Sequence, residues 1–304
     1  MYTVLSGGVG AARLLRALRL VVDESALTAV VNVGDDFTLH GLTICPDLDT
    51  VSYSLAGLDN PATGWGRVNE SWRVLDELAS LGGATWFSLG DLDLATHLYR
   101  SQRLSEGATK SVVTKELCAR WGVAATLLPA TDDPLATTFE TDAGPMDFQS
   151  YFVRHNHDVV VTRIDVVGAA QAAPAPGVID AIARAERVII APSNPLISID
   201  PILRVPGVRD ALAARREAVV AVSPLVAGAA IKGPAARLMG ELGHSASNAG
   251  VADLYRDVAA TLAIDVTDAR DADSIASRDV RPLVTTTVMD GADNSRRLAE
   301  AVLS

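Results

Sequence analysis

Residues 2–36 constrain the fold more than any other stretch, because they read as strand, glycine turn, helix and strand in immediate succession. YTVL (2–5) is a run of strand formers, and SGGVG (6–10) is a turn. GAARLLRALRLVV (10–22) sets Leu and Ala at helical spacing with Arg on the other face, and LTAVVNV (27–33) is a second strand-forming run that ends in Gly34-Asp35-Asp36. That order is the opening unit of a doubly wound sheet. Such a sheet buries its parallel strands between helices. With 49% hydrophobic residues and only 5% aromatic ones, the core must be built from Ala, Val, Leu and Ile.

The same reading predicts helices over 70–81, 92–104, 111–121, 178–185 and 207–215, and a terminal helix from about residue 292. It predicts strands over 84–89, 187–191, 217–222, 262–267 and 281–287. From about 125 to 166, short β-like pieces such as TTFET alternate with Asp-, Pro- and Gly-rich turns. The expected fold class is therefore α/β, with a Rossmann-like, doubly wound, mostly parallel sheet. Residues 1–110 and 167–304 would form this core, and 111–166 a smaller α+β insert.

Charge and cysteine content exclude several function classes. The 26 Lys and Arg against 37 Asp and Glu give a formal net charge of −11. A chain of this sign repels nucleic acid, whose non-specific binding depends on basic residues displacing counterions. Two cysteines, Cys45 and Cys118, supply neither a disulfide framework nor a four-ligand zinc site. No charged n-region precedes an apolar segment at the N-terminus, and no apolar stretch reaches about 18 residues, so no membrane partner is expected. A cytoplasmic enzyme is the expectation.

In open α/β sheets, ligands bind beyond the carboxyl ends of the strands. Polar, Gly- or Pro-rich segments fall at five such places: Ser6–Gly10, Gly34–Asp36, Gly90–Asp93, Pro192–Pro195 and Ser223–Pro224. The turn Gly7-Gly8-Val9-Gly10 precedes a helix start suited to phosphate. No Gly-Lys-Ser/Thr follows it, so it is not a Walker A loop. Arg13 stands where the dinucleotide fingerprint needs its third glycine, and Asn32, not an acid, lies near the end of the second strand. NAD is therefore disfavoured.

NVGDDFTLHGLTICPDLDT (32–50) gathers Asp35, Asp36, Asp47 and Asp49 beside that turn. Mg²⁺ usually takes one or two carboxylates plus phosphates and waters, so a metal site is expected among the four, with the others serving turns and helix caps. Gly90-Asp91-Leu92-Asp93 is followed by His97 and Arg100 along one helix face. There, ligand contacts compete with a plain N-cap and a surface ion pair. Ser193 and Asn194 on a Pro-bounded turn suit a base or ribose, and Lys232 suits a phosphate.

SGGVGAAR (6–13), NVGDDFTLHGLTICPDLDT (32–50), GWGRVNESW (64–72), GDLDLATHLYRSQRLSEG (90–107), APSNPLISIDPIL (191–203) and SPLVAGAAIKGPA (223–235) together resemble the 2-phospho-L-lactate transferases of coenzyme F-420 biosynthesis, most closely their actinobacterial, phosphoenolpyruvyl-using branch. The resemblance implies a Rossmann-like homodimer that binds a guanylylated phospho-acid donor and the deazaflavin Fo, uses Mg²⁺ and releases GMP. It implies Asp35 and Asp49 as catalytic residues and metal ligands, with Asp36 and Asp47 as outer or substitute ligands. It implies Gly7, Gly8, Gly10, Arg13, Ser193, Asn194 and Lys232 at the nucleotide, and Asp49, Asp91, Asp93 and His97 at Fo. Many members carry a basic residue where this chain has Leu92, which would then border the Fo pocket. A related family of nucleotide-sugar-binding regulators, the gluconeogenesis factors, is the alternative. It shares the glycine turn but is not expected to keep the PDLDT and GDLDLATH blocks together.

Overall fold

The computed structural model describes residues 1–230 and 233–304. Strands β1 (Tyr2–Ser6) and β2 (Leu27–Val31) flank helix α1 (Gly8–Leu18), as the opening pattern requires. A two-stranded hairpin, β3 (Phe37–Leu39) and β4 (Leu42–Ile44), leads into helix α2 (Pro46–Ala56). Helices α3 (Arg73–Ser80), α4 (Asp91–Ser105) and α5 (Lys110–Arg120) precede strand β5 (Thr126–Pro129). Strands β6 (Ala136–Thr141), β7 (Gly144–Asp147) and β8 (Val161–Val167) form a separate antiparallel sheet in the order β7-β6-β8. The chain then adds β9 (Arg187–Ile190), β10 (Val219–Val222), a short β11–β12 hairpin (Leu225–Val226 and Ala229–Ala230), β13 (Thr261–Asp265) and β14 (Arg281–Thr285).

Seven strands make one sheet in the order β14-β13-β10-β9-β1-β2-β5, and every pairing in it is parallel. Counting outward from β1, the chain goes first to β2 and β5 and then to β9, β10, β13 and β14. This is the Rossmann order with one strand added. Burial explains why these segments are strands: β2, β9 and β10 bury almost every residue and have no polar face to expose. The direction of strand addition reverses between β1 and β9, and a doubly wound fold opens its ligand crevice at that reversal.

Two sequence expectations change here. Residues 84–89 form no strand, because Trp86 and Phe87 pack against Phe37, with ring centroids 6.3 and 4.8 Å away. The place beside β2 is taken by β5, which pairs from Thr28↔Thr126 to Val31↔Pro129. Residues 110–129 therefore belong to the main α/β layer, and the separate small sheet spans Ala136–Val167, a shorter stretch than 111–166.

Candidate active site

A cavity of about 550 Å³ opens at the β1/β9 reversal. All five polar segments named above contribute to its lining, through residues that include Gly8, Asp35, Asp93, Ser193 and Pro224. The glycine turn is shaped from both sides. Gly8 has φ of +68°, in the left-handed region that favours glycine. A Cβ on Gly10 would lie 2.3 Å from the carbonyl oxygen of Pro192, so only glycine lets α1 start this close to the turn after β9. The Ser193 hydroxyl donates to the Gly7 carbonyl at 2.6 Å and ties the two turns together. Gly10→Ala is expected to destabilise the fold by about 1–3 kcal/mol, the range for forcing an overpacked contact. A thermal melt within a degree of wild type would contradict that packing.

Helix α2 decides how the acidic cluster is divided. Pro46 is its first residue, so Asp47 and Asp49 both lie in its first turn, where the helix dipole favours carboxylates. Residues two apart on a helix point to different sides. Asp47 turns toward α1, and its Oδ1 accepts the Gly8 N–H at 2.6 Å. Asn32 Nδ2 donates to Asp47 Oδ2 at 2.9 Å and reaches Asp35 Oδ1 at 3.4 Å, joining these two acids. Asp49 turns instead toward α4, where Arg100 grips both of its oxygens.

The other pairings follow suit. Lys110 Nζ lies 2.5 Å from Asp36 Oδ2. A buried Arg100 and a partly buried Lys110 thus answer Asp49 and Asp36, while no Lys or Arg among the described residues pairs with Asp35 or Asp47. Burial pushes the Asp35 carboxyl well above the usual range, helped by the charges of Asp47 and Asp36. Burial likewise lifts Asp47 to about 6, against hydrogen bonds from Asn32 and Gly8 that favour its ionised form. The structure therefore joins Asp47 to Asp35, whereas the resemblance implies Asp35 and Asp49 as metal ligands with Asp36 and Asp47 as outer or substitute ligands.

Along α4, Asp93, His97 and Arg100 stand at i, i+4 and i+7 on one buried face. Atoms of Asp49, Asp93 and His97 come within 4.8 Å of one another, a spacing a metal could use. Hydrogen bonds engage part of that set. Arg100 Nη1 lies 3.1 Å from His97 Nδ1, and a guanidinium only donates, so Nδ1 accepts. That leaves the hydrogen on Nε2, which lies 3.4 Å from Asp93 Oδ1 and makes no hydrogen bond among the described residues, while Asp93 Oδ1 accepts the Tyr53 hydroxyl at 2.7 Å. Burial works to raise the Asp93 carboxyl, but His97 and Tyr53 outweigh it and hold it below the usual range. Along the cavity wall, Tyr53 is thus hydrogen-bonded to Asp93, and His97 and Asp49 are both hydrogen-bonded to Arg100. Arg100 is neither a phosphate contact nor part of a surface pair: it is the buried partner of Asp49.

Of the remaining expected residues, Gly7, Gly8, Gly10, Arg13, Ser193, Asn194, Asp49, Asp93 and His97 line the cavity. Asn194 presents a buried Nδ2 with no partner among the described residues, a donor left for a ligand. Asp91 does not join them. Its carboxylate is held by Ser71 and by the Val74 N–H at 3.2 Å, outside the lining. Leu92 is also outside, 39% exposed, with its N–H donated to Glu70 at 2.7 Å. Lys232 lies outside the described residues.

Sequence reading missed an aromatic wall. Trp65, Trp86, Phe87, Phe148, Phe152 and Tyr53 all line this cavity, from a chain with only five Phe, four Trp and five Tyr. The scarcity of aromatics was the available signal. Their scatter over residues 53–152 concealed that they meet.

A family model described as 2-phospho-L-lactate transferase CofD matches residues 2–287. The chain is similar to a phosphoenolpyruvate transferase of Streptomyces griseus, 40% identical over 306 residues, covering 99% of this chain and 96% of that protein. It is also similar to a phosphoenolpyruvate transferase of Kitasatospora aureofaciens, 43% identical over 313 residues, covering 98% and 97%. Among solved structures, the protein BH3568 of Bacillus halodurans superposes with a TM-score of 0.67 at 18% identity, covering 100% of this chain and 99% of that one, a likeness of fold.

Proposed function

Because the chain belongs to the 2-phospho-L-lactate transferase family, we propose that it moves a phosphoenolpyruvyl or phospholactyl group from a guanosine-diphospho-linked donor to the hydroxyl of the deazaflavin Fo, releasing GMP, in coenzyme F-420 biosynthesis. The observation that carries this reading is one cavity lined both by a glycine turn, a helix start and two carboxylates without a basic partner among the described residues, and by six aromatic side chains. The first set suits a diphosphate and the second a flat heteroaromatic ring.

In the reaction, the acceptor's hydroxyl oxygen bonds to the phosphorus that carries the acid. The bond from that phosphorus to the bridging oxygen breaks, GMP leaves with the electron pair, and the hydroxyl proton is lost to solvent. The chain's part is positioning more than covalent chemistry. The N–H groups at the start of α1 face the diphosphate, Ser193 and Asn194 hold the nucleoside side, and the aromatic wall stacks the acceptor. Asp49 and Asp93, fixed in direction by Arg100 and Tyr53, would accept hydrogen bonds from the acceptor.

Asp35 and Asp47 are the residues that would hold magnesium. They are buried, joined through Asn32 and without a basic partner among the described residues, so a divalent cation fits their uncompensated charge. When bound, it would offset the negative charge that develops on the phosphoryl oxygens. Binding requires both carboxylates to shed protons. Magnesium affinity should therefore rise as pH passes through about 6, the value to which Asp47 is pushed up. An affinity flat from pH 5 to 8 would contradict the pairing.

A thermal-shift panel tests the nucleotide reading, because only a ligand that prefers the native state raises the melting temperature. GDP with magnesium should stabilise the protein, and a UDP-sugar or NAD should not. A larger shift with NAD or the UDP-sugar would overturn the proposal.

A further inference from the structure

We propose that Arg13 binds the carboxylate of the transferred acid, in a side chamber of the main cavity, and so selects donors that carry an acid. This inference rests on the transferase reading above. The chamber, about 110 Å³, lies between α1 and the segment around Gly64–Gly66 and joins the main cavity through residues shared by both, among them Val9, Arg13, Thr50 and Tyr53. Arg16 also faces it but is occupied by Asp59 at 3.2 Å. Arg13 has no hydrogen-bond or ion-pair partner among the described residues, and it is the one Lys or Arg among the described residues lining the main cavity.

Charge makes that position matter. Asp35, Asp47, Asp49 and Asp93 all line the main cavity. A diphosphate brought there has the α1 helix start and the Asp35/Asp47 cation site to offset its charge. A carboxylate on the acid has neither, so a cation on the wall would be needed to meet its charge. Geometry puts Arg13 in reach. It follows Val9 by four residues on the same helix face, and side chains on a helix tilt back toward its N-terminus. Arg13 and Val9 both line the main cavity together with Gly8 of the first turn, where the diphosphate sits in the proposal. In a 2-phospho acid, the carboxylate hangs from the carbon that bears the phosphoester oxygen, only a few bonds from phosphorus. A planar guanidinium can take such a carboxylate through two parallel hydrogen bonds.

The test compares wild type with R13Q and R13K. Arg13 is exposed, so both variants should fold, and thermal melts check this. Calorimetry measures GDP affinity in magnesium. Initial rates measure KM for a guanosine-diphospho-linked lactate and for the same donor with its carboxylate converted to an amide. R13Q should leave GDP affinity within about twofold and raise KM for the acid donor by about tenfold or more, as losing a charge-assisted contact does. It should leave KM for the amide donor unchanged, and R13K should lie between wild type and R13Q. Weakening of GDP in step with the acid donor would mean that Arg13 holds a phosphate, which overturns the inference. Equal KM effects on the acid and amide donors, or no effect on either, would overturn it too. A wild-type protein that fails to bind GDP overturns the parent reading, and this inference with it.

Discussion

Asp47→Asn should abolish measurable magnesium binding and lower turnover by orders of magnitude, while Asp49→Asn should leave magnesium affinity close to wild type. The two residues are neighbours in sequence and both buried, so composition alone gives no reason for them to differ. Their partners do. Asp47 meets Asp35 through Asn32, with no cation opposite, and Asp49 is gripped on both oxygens by Arg100. Removing a charge from the first pair leaves one carboxylate to hold a divalent ion. Removing it from the second leaves the ion's ligands untouched and disturbs the wall facing the acceptor. Asp35→Asn should therefore behave like Asp47→Asn, and excess magnesium should partly restore both by mass action. Asp49→Asn should show a raised KM for Fo that magnesium does not repair. Calorimetric titration of magnesium into the three variants separates these outcomes. Loss of magnesium binding in Asp49→Asn, with Asp47→Asn normal, would reverse the assignment.

Arg100→Leu should be the most destabilising single change at the site, costing about 3–5 kcal/mol, because it leaves a buried carboxylate without its partner. The side chains of Arg100 and Asp49 are only 3% and 7% exposed, so little water reaches the pair to replace the guanidinium. His97 Nδ1 would lose its donor at the same time. The double variant Arg100→Leu/Asp49→Leu removes the stranded charge and should recover much of the loss. Chemical denaturation of wild type, both single variants and the double variant gives the coupling energy directly. Additive effects across that cycle would mean that the pair does not interact as the geometry says.

Much of the fold was legible because long-period signals are hard to counterfeit. The strand–turn–helix–strand opening, the apolar runs at β9, β10 and β13, and the helical face of α4 all appear where periodicity places them. The failures have physical causes. Residues 84–89 are rich in residues that suit strands, but that preference reflects a pleated, half-buried surface, and here Trp86 and Phe87 found a cavity wall to pack on instead. Strand β5 is four residues long and ends in Pro129, too short to stand out from the turns that follow.

The glycine turn, the acidic loop and the turn after β9 line one cavity, and each was visible in the sequence because it is a local motif. The pairing among the acids was not, although one clue lay in the sequence. Pro46 marks the first turn of a helix, and from that start Asp47 and Asp49 must face different elements. Which of the four acids meets a cation depends on Arg100, the partner of Asp49, and Lys110, the partner of Asp36, each more than fifty residues further along the chain, and no local pattern carries that information.

The most direct test of the whole account is the product balance of one reaction: the protein with Fo, a guanosine-diphospho-linked phosphoenolpyruvyl donor and magnesium, followed by mass spectrometry and nucleotide chromatography. The account predicts one GMP released for each Fo that gains a phosphoenolpyruvyl group, with turnover lost in EDTA and restored by added magnesium. Release of GDP in place of GMP, an Fo whose mass does not change, or full turnover in EDTA would contradict it.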